Sequence, residues 1–230
     1  MEKVVVLTGA GMSAESGIKT FRDHNGLWEN LDVTEVASPQ GWAKNQELVL
    51  DFYNQRRAQL KEVAPNQGHF GLAELEAHYD IQIITQNVDD LHERAGSTKV
   101  LHLHGELKKV RSTRHPHLIY DWEDDLKIGD TCEKGHQLRP HIVWFGEAVP
   151  MIESAVALTA EADIIIIVGT SMQVYPAAGL VAYAPVNAPI YYIDPRPSIN
   201  YELQSRERLK TIAALATTGV QQLKKELLGA

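Results

Sequence analysis

At 230 residues and 44% hydrophobic composition, the chain can bury a substantial core, enough for one large domain or a domain with a small insertion, and leaves no room for a separate effector module. Its formal charge of −8 excludes the broad basic surface that phosphate-driven nucleic-acid binding needs, and suits basic partners such as lysine-bearing peptides. A single cysteine, Cys132, excludes an intramolecular disulfide, and no apolar run is long enough to span a bilayer or to act as a signal segment, so the expectation is a cytoplasmic protein without a membrane anchor.

In chain order, the first element is the apolar run Val4–Leu7, a buried strand that leads into Gly9-Ala10-Gly11-Met12-Ser13-Ala14. A strand ending in Gly-x-Gly-x-x-Ala predicts a turn that offers backbone N–H groups and a helix start to a phosphate, with small residues admitting a pyrophosphate. The same pattern also packs a strand against a helix with no ligand at all. Phe21 and Arg22 follow in a segment with Asp23, Asn25 and Gly26, which has turn chemistry. Gln46–Val63 reads as one long helix, with Leu48, Phe52 and Leu60 among charged residues, and Gly68–His78 as a second.

The strand Ile81–Thr85 ends in Gln86-Asn87-Val88-Asp89, which is either a turn capping a helix over Asp89–Arg94 or a set of polar groups facing a cleft. The strand Val100–Leu103 delivers His104 to the same edge, where an imidazole with an unperturbed pKa of about 6.5 serves either as a structural hydrogen-bonding group or as a general base. Lys109–Arg139 is polar and poor in periodicity. Beyond it come a helix over Ile152–Ala160, the strand Ile164–Val168 with the small-residue turn Gly169-Thr170-Ser171, the strand Ile190–Ile193 and a helix over Val220–Leu228.

Near-continuous apolar strands separated by helices predict an α/β fold, a doubly wound parallel sheet of Rossmann-like type, with ligands beyond the carboxyl ends of the strands. Gly9, Gln86, His104 and Gly169 all fall there. The chain reads as a single unit over 1–230, with a large domain from about 1–30, 66–108 and 140–230 and a small one from the two insertions at about 31–65 and 109–139.

The blocks Thr8-Gly9-Ala10-Gly11-Met12-Ser13-Ala14-Glu15-Ser16-Gly17, Thr20-Phe21-Arg22-Asp23, Thr85-Gln86-Asn87-Val88-Asp89-Asp90-Leu91-His92, Leu101-His102-Leu103-His104-Gly105-Glu106, Pro140-His141-Ile142-Val143-Trp144-Phe145-Gly146-Glu147 and Val168-Gly169-Thr170-Ser171-Met172-Gln173-Val174-Tyr175-Pro176, in that order, resemble the sirtuins, the NAD-dependent protein lysine deacylases, and are closest to short bacterial members. The resemblance implies that the acyl-lysine carbonyl oxygen attacks the anomeric carbon of NAD as nicotinamide leaves. His104 then deprotonates the ribose, and the products are free lysine and O-acyl-ADP-ribose. It further implies that Asn87 positions the ribose and a water, that Gln86 contacts a ribose hydroxyl, and that Asp89 with the Val88 backbone holds the nicotinamide amide. Gly9, Ala10, Gly11, Ser13 and Ala14 form one NAD-contacting turn by this resemblance, Gly169, Thr170 and Ser171 form the other, and the loop with Phe21 and Arg22 closes over NAD. Val143, Phe145 and Gly146 match the segment that pairs with the acylated peptide by strand addition.

Three departures from the family pattern matter. Most sirtuins hold a structural zinc on two Cys-x-x-Cys pairs, whereas only Cys132 remains here, with Ser112 near a first cysteine position. The expectation is no metal, with packing around Tyr120 and Trp122 in its place; a mixed set of Cys132 and His136 with one or both of His115 and His117 is the alternative. Tyr192 stands where many members have Asn, and Asp194 is the remaining candidate for a ribose hydroxyl. Tyr53 and Arg56, three apart on the long helix, share a face. By themselves they are a half-buried tyrosine and a surface arginine, but the segment resembles that of desuccinylating and demalonylating sirtuins, in which such a pair binds the distal carboxylate. An NAD hydrolase or ADP-ribosyltransferase would use the same Asn87 and His104, and a non-catalytic NAD-binding module would need neither.

Overall fold

The apolar runs at Val4–Leu7, Ile81–Thr85, Ile164–Val168 and Ile190–Ile193 lie almost wholly buried in adjacent strands, because each is covered by helices on both faces. The computed structural model describes residues 1–19, 27–28 and 31–229. Its elements are β1 (Lys3–Thr8), β2 (Leu27–Trp28), β3 (Leu31–Asp32), α1 (Val33–Val36), α2 (Pro39–Lys44), α3 (Gln46–Glu62), α4 (Gln67–Leu75), β4 (Asp80–Thr85), α5 (Leu91–Arg94), β5 (Val100–His102), β6 (Gly105–Ser112), β7 (Ile119–Asp121), β8 (Leu138–Ile142), α6 (Ile152–Ala160), β9 (Ile164–Val168), β10 (Ile190–Ile193), α7 (Tyr201–Gln204), β11 (Leu209–Ile212) and α8 (Ala216–Leu228).

Six parallel strands form one sheet in the order β11-β10-β9-β1-β4-β5. The chain builds outward from β1 through β4 and β5, then returns to the other side of β1 for β9, β10 and β11. The strand order therefore reverses between β1 and β9, and in open α/β sheets that crevice is where ligands bind. Strand alternation divides the core: Val5, Leu7, Ile165 and Ile167 pack with Ala155 of α6 and with Leu180 and Val181 of a 3-10 helix over Ala177–Tyr183. Val4, Val6, Ile83 and Ile166 pack with Leu72 and Leu75 of α4 and with Val220 and Leu223 of α8.

Several boundaries differ from the sequence reading for local reasons. α4 begins at Gln67 because Asn66 caps it, its Oδ1 accepting from the Gly68 N–H at 2.9 Å while His69 Nδ1 accepts from the Asn66 N–H at 3.2 Å. The edge strand β11 was not expected, since two of its four residues are exposed and its apolar pattern is weak. Past β1 the chain forms two 3-10 turns, Ala10–Met12 and Ala14–Ser16, rather than the expected helix start. A second, antiparallel sheet in the order β7-β6-β8 occupies the stretch that lacked periodicity. Its apolar side, Val110 and Leu138, packs with Leu50 of α3, Leu126 and Cys132. Phe52, Tyr53 and Leu60 of α3 join Leu91, Leu107, Ile142 and Trp144 in a further cluster. Among the described residues, no helix is long and apolar enough to cross a membrane.

The chain passes from the six-stranded to the three-stranded sheet at Gly105, the first residue of β6. It sits at φ +82°, and a Cβ there would lie 1.9 Å from the His141 carbonyl oxygen. Gly105→Ala is expected to lower stability by on the order of 3 kcal/mol, through left-handed strain and a backbone clash together. A urea unfolding midpoint close to that of the parent protein would show that the junction relaxes freely.

Candidate functional site

Thr8 of β1 pairs in register with Val168 of β9, so the chain leaves both strands side by side at Gly9 and Gly169. The Gly9 N–H donates to the Val168 carbonyl at 3.1 Å, and the Gly11 N–H to the Gly169 carbonyl at 2.8 Å. A Cβ on Gly11 would lie 2.7 Å from Gly169 Cα, and one on Gly169, at φ +62°, would lie 2.3 Å from the Met12 nitrogen. These glycines are demanded by the contact between the two turns. The N–H groups of Gly9 and Gly11 are thus engaged internally, and the chain past them runs through the two 3-10 turns. Ala10, Ala14 and Ser171 are half-buried on the same two turns.

Ser13, Asn87 and Asp89 meet beneath the first turn. Asn87 Nδ2 donates to Ser13 Oγ at 3.1 Å, and the Ser13 hydroxyl donates to Asp89 Oδ2 at 2.9 Å. The Leu91 N–H reaches Asp89 Oδ1 at 3.2 Å, so Asp89 itself supports the start of α5. Burial pushes the Asp89 carboxyl above its usual range, against the pull of these bonds. His69 Nε2 lies 3.5 Å from Ser13 Oγ, and His92 Nε2 lies 3.0 Å from Thr8 Oγ1, which bonds Thr85 Oγ1 at 2.8 Å. Thr85 Oγ1 in turn accepts from the Asn87 N–H at 3.0 Å. Burial lowers both imidazoles, His69 to about 4, so both are neutral supports. Sequence reasoning missed this pair, although the Asn66-x-x-His69 spacing is that of a capping box.

His102 and His104, two residues apart, grip consecutive carbonyls of the Gln86–Asn87 turn. His104 Nδ1 lies 3.0 Å from the Gln86 oxygen and His102 Nδ1 lies 3.0 Å from the Asn87 oxygen. Since a carbonyl only accepts, His104 carries its proton on Nδ1, and the neutral ring presents a bare Nε2. Burial lowers the His104 pKa, partly offset by the Gln86 bond. At His102 burial also lowers the pKa, but Glu93 Oε1 at 2.8 Å from Nε2, together with the Asn87 carbonyl, raises it overall. The turn therefore holds one histidine whose neutral form is favoured beside another whose charged form is favoured. The Gln86 side chain ties it to the second glycine turn, Nε2 donating to Thr170 Oγ1 at 3.1 Å. Leu107 of β6 donates to the Val88 carbonyl at 2.8 Å.

Tyr192 is fully buried beneath this turn, its hydroxyl donating to the Thr170 carbonyl at 2.7 Å. It props the turn from within the core. Asp194 is also buried, with Oδ1 accepting from the Arg196 N–H at 2.9 Å. Phe21 and Arg22 lie outside the described residues.

The segment Val143–Gly146 runs past His104: the Val143 N–H donates to the His104 carbonyl and the Phe145 N–H to the Ala37 carbonyl, each at 2.9 Å. Phe145 is half-exposed and Gly146 sits at φ +88°. Tyr53 is fully buried, and its hydroxyl accepts from Trp144 Nε1–H at 3.0 Å; burial holds the phenol well above its usual range and so protonated. Arg56, one turn along α3, is half-buried with its guanidinium 4.9 Å from the centre of the Phe52 ring.

The residues do not fit a family-type structural zinc. Cys132 Sγ donates to Ser112 Oγ at 3.3 Å inside an apolar cluster that Tyr120 and Trp122 help to cover. His115 stacks near His117 and His136, with ring centres 5.9 and 5.2 Å away, and among the described residues no group of three or more His, Cys, Asp or Glu is arranged to hold a metal.

A parallel sheet with two interlocked glycine turns at its switch point, a histidine tied to the adjoining turn and an antiparallel sheet beside it define a nucleotide-binding fold. The Sir2 family profile matches residues 9–176, and the chain belongs to that family. A protein of Helicobacter pylori named NAD-dependent protein deacylase is 63% identical over 196 residues, covering 85% of this chain and 86% of the relative. One of the same name from Bacteroides thetaiotaomicron is 53% identical over 236 residues, covering 100% of both chains. A solved structure described as a Sir2 homolog–NAD complex superposes with a TM-score of 0.88 at 39% identity, covering 99% of this chain and 90% of that one.

A base at His104 must be neutral, and its pKa is lowered, so turnover should fall only as the pH drops through a midpoint below 6.5. A pH profile of kcat/KM with its acid limb above 6.5 would contradict this assignment.

Proposed function

We propose that the chain is an NAD-dependent protein-lysine deacylase, releasing nicotinamide, O-acyl-ADP-ribose and free lysine, with a preference that extends to dicarboxylic acyl groups. NAD supplies the ADP-ribosyl group that receives the acyl chain. The observation that carries the reading is the His104 tautomer: Nδ1 is committed to the Gln86 carbonyl, leaving Nε2 as a fixed, neutral base beside the two glycine turns. The names of the close relatives agree with it.

In this reading His104 takes the ribose proton. Asn87, with its Nδ2 held by Ser13, presents its carbonyl oxygen as an acceptor toward the ribose and a water. Asp89 and the Val88 backbone serve the nicotinamide amide, Gln86 and Asp194 the ribose hydroxyls, and the turns at Gly9–Ala14 and Gly169–Ser171 the remainder of NAD. An acylated peptide adds as a strand at Val143, Phe145 and Gly146, using carbonyls of that segment, because the N–H groups of Val143 and Phe145 are already engaged. In this reading the peptide lies between a large domain of about 1–30, 66–108 and 140–230 and a small one of about 31–65 and 109–139. The single cysteine and the charge of −8 favour a cytoplasmic enzyme that acts on proteins and not on nucleic acid.

Tyr53 and Arg56 set the acyl preference. A buried phenol and a half-buried guanidinium on one helix offer hydrogen bonds, one of them charge-assisted, to a distal carboxylate that acetyl-lysine lacks.

Nicotinamide release is expected only with an acylated peptide, and His104→Ala should slow it by about two to four orders of magnitude in a folded protein. Peptide-independent release would identify an NAD hydrolase or ADP-ribosyltransferase instead. Arg56→Met should lower kcat/KM for a succinyl-lysine peptide by about 10- to 100-fold, the worth of about 1.5–3 kcal/mol for a bond to a charged group. The loss should come through KM and alter the acetyl-lysine peptide far less. Equal losses on both peptides would make Arg56 structural.

A further inference from the structure

Tyr53 is held from outside its own helix, and the holding group is Trp144. The indole is almost fully buried and donates Nε1–H to the Tyr53 hydroxyl at 3.0 Å, across 91 residues of sequence. Its plane is fixed from the other side by Arg139, whose guanidinium carbon lies 3.2 Å from the ring centre. Arg139 is held in turn: Nη1 donates to Glu147 Oε1 at 2.7 Å, and Nη2 donates to Glu147 Oε2 at 3.1 Å and to the Ile142 carbonyl at 2.9 Å. Glu147 Oε2 also accepts from the Trp144 backbone N–H at 2.8 Å and pairs with Arg111 Nη2 at 3.2 Å. The indole cannot swing away from Tyr53 without giving up its stacking on an ion pair that is largely screened from water.

This arrangement has a chemical consequence. A phenol both donates and accepts, so alone it does not distinguish a carboxylate from an amide or a hydroxyl. A donor that fills one of its acceptor positions biases the phenol toward donating its own proton. A carboxylate, which only accepts, is the distal group that gains most from that bias.

We propose that Trp144 is a specificity-determining positioning residue: by donating to Tyr53 it sets the phenol as a hydrogen-bond donor to the distal carboxylate of a dicarboxylic acyl-lysine. The inference rests on the reading of Tyr53 and Arg56 given above. It adds that selectivity depends on a residue that itself never meets the acyl chain, and on the Arg139–Glu147 pair behind it.

The test compares one peptide carrying succinyl- or acetyl-lysine, in the parent protein and in Trp144→Phe, Tyr53→Phe, the double variant and Arg56→Met. A form with benzothienylalanine at position 144 keeps the ring shape and removes only the donor, which guards against a packing defect in the phenylalanine variant. The ratio of succinyl to acetyl kcat/KM should fall about 5- to 10-fold in Trp144→Phe and in the benzothienyl form, the usual worth of one neutral hydrogen bond. In the Tyr53→Phe background, Trp144→Phe should leave that ratio where Tyr53→Phe alone puts it. Equal losses on both peptides, or additive effects of the two substitutions, would overturn the role of Trp144. If Arg56→Met lowers the ratio and the position 144 variants do not, this inference alone fails. If Arg56→Met leaves the ratio unchanged, the carboxylate reading fails and this inference with it.

Discussion

A carbonyl oxygen accepts and never donates, so the 3.0 Å contact between His104 Nδ1 and the Gln86 oxygen decides which ring nitrogen carries the proton. The same turn is fixed on every side. His102 holds the next carbonyl, Thr85 holds the Asn87 N–H, β6 holds the Val88 carbonyl, and the Gln86 side chain reaches the second glycine turn through Thr170. An imidazole tied to such a turn has little freedom to lose on meeting a ligand, which is what preorganisation requires.

Electrostatics separate two histidines that sequence alone presents as near equals. His102 faces an acceptor at each nitrogen, a carbonyl and the Glu93 carboxylate, and gains stability from being charged. That contribution is complete below 6.5, the value of a free imidazole, and is lost as the pH rises through the raised folded value. Among the described residues His104 faces a carbonyl and no carboxylate, and burial lowers its pKa, so its neutral form is favoured. Had Glu93 stood beside His104, the charged form of that ring would be favoured instead.

The sheet was legible because its strands are apolar on both faces, and the site blocks were legible because each strand's carboxyl end carries a polar or glycine turn at close range. What stayed hidden depends on distance along the chain. Ser13 and His69 are 56 residues apart and Tyr53 and Trp144 are 91 apart, so neither contact leaves a local pattern. The second sheet escaped because β6 alternates with charged residues that pair locally, such as Lys109 with Glu106, and read as loop polarity. The glycine motif was recognised for a plausible but incomplete reason. Gly9 and Gly11 are small so that Gly169 can press against them, and any pyrophosphate contact is built on top of that interlock.

Nitrogen NMR of the histidine rings addresses the central claim directly, with signals assigned by their loss in single-histidine variants. At pH 7 the account predicts that His104 is neutral with its proton on Nδ1 and a bare Nε2, while His102 takes up its second proton at a higher pH than His104 does. A His104 ring protonated on Nε2, or charged at pH 7, would contradict it.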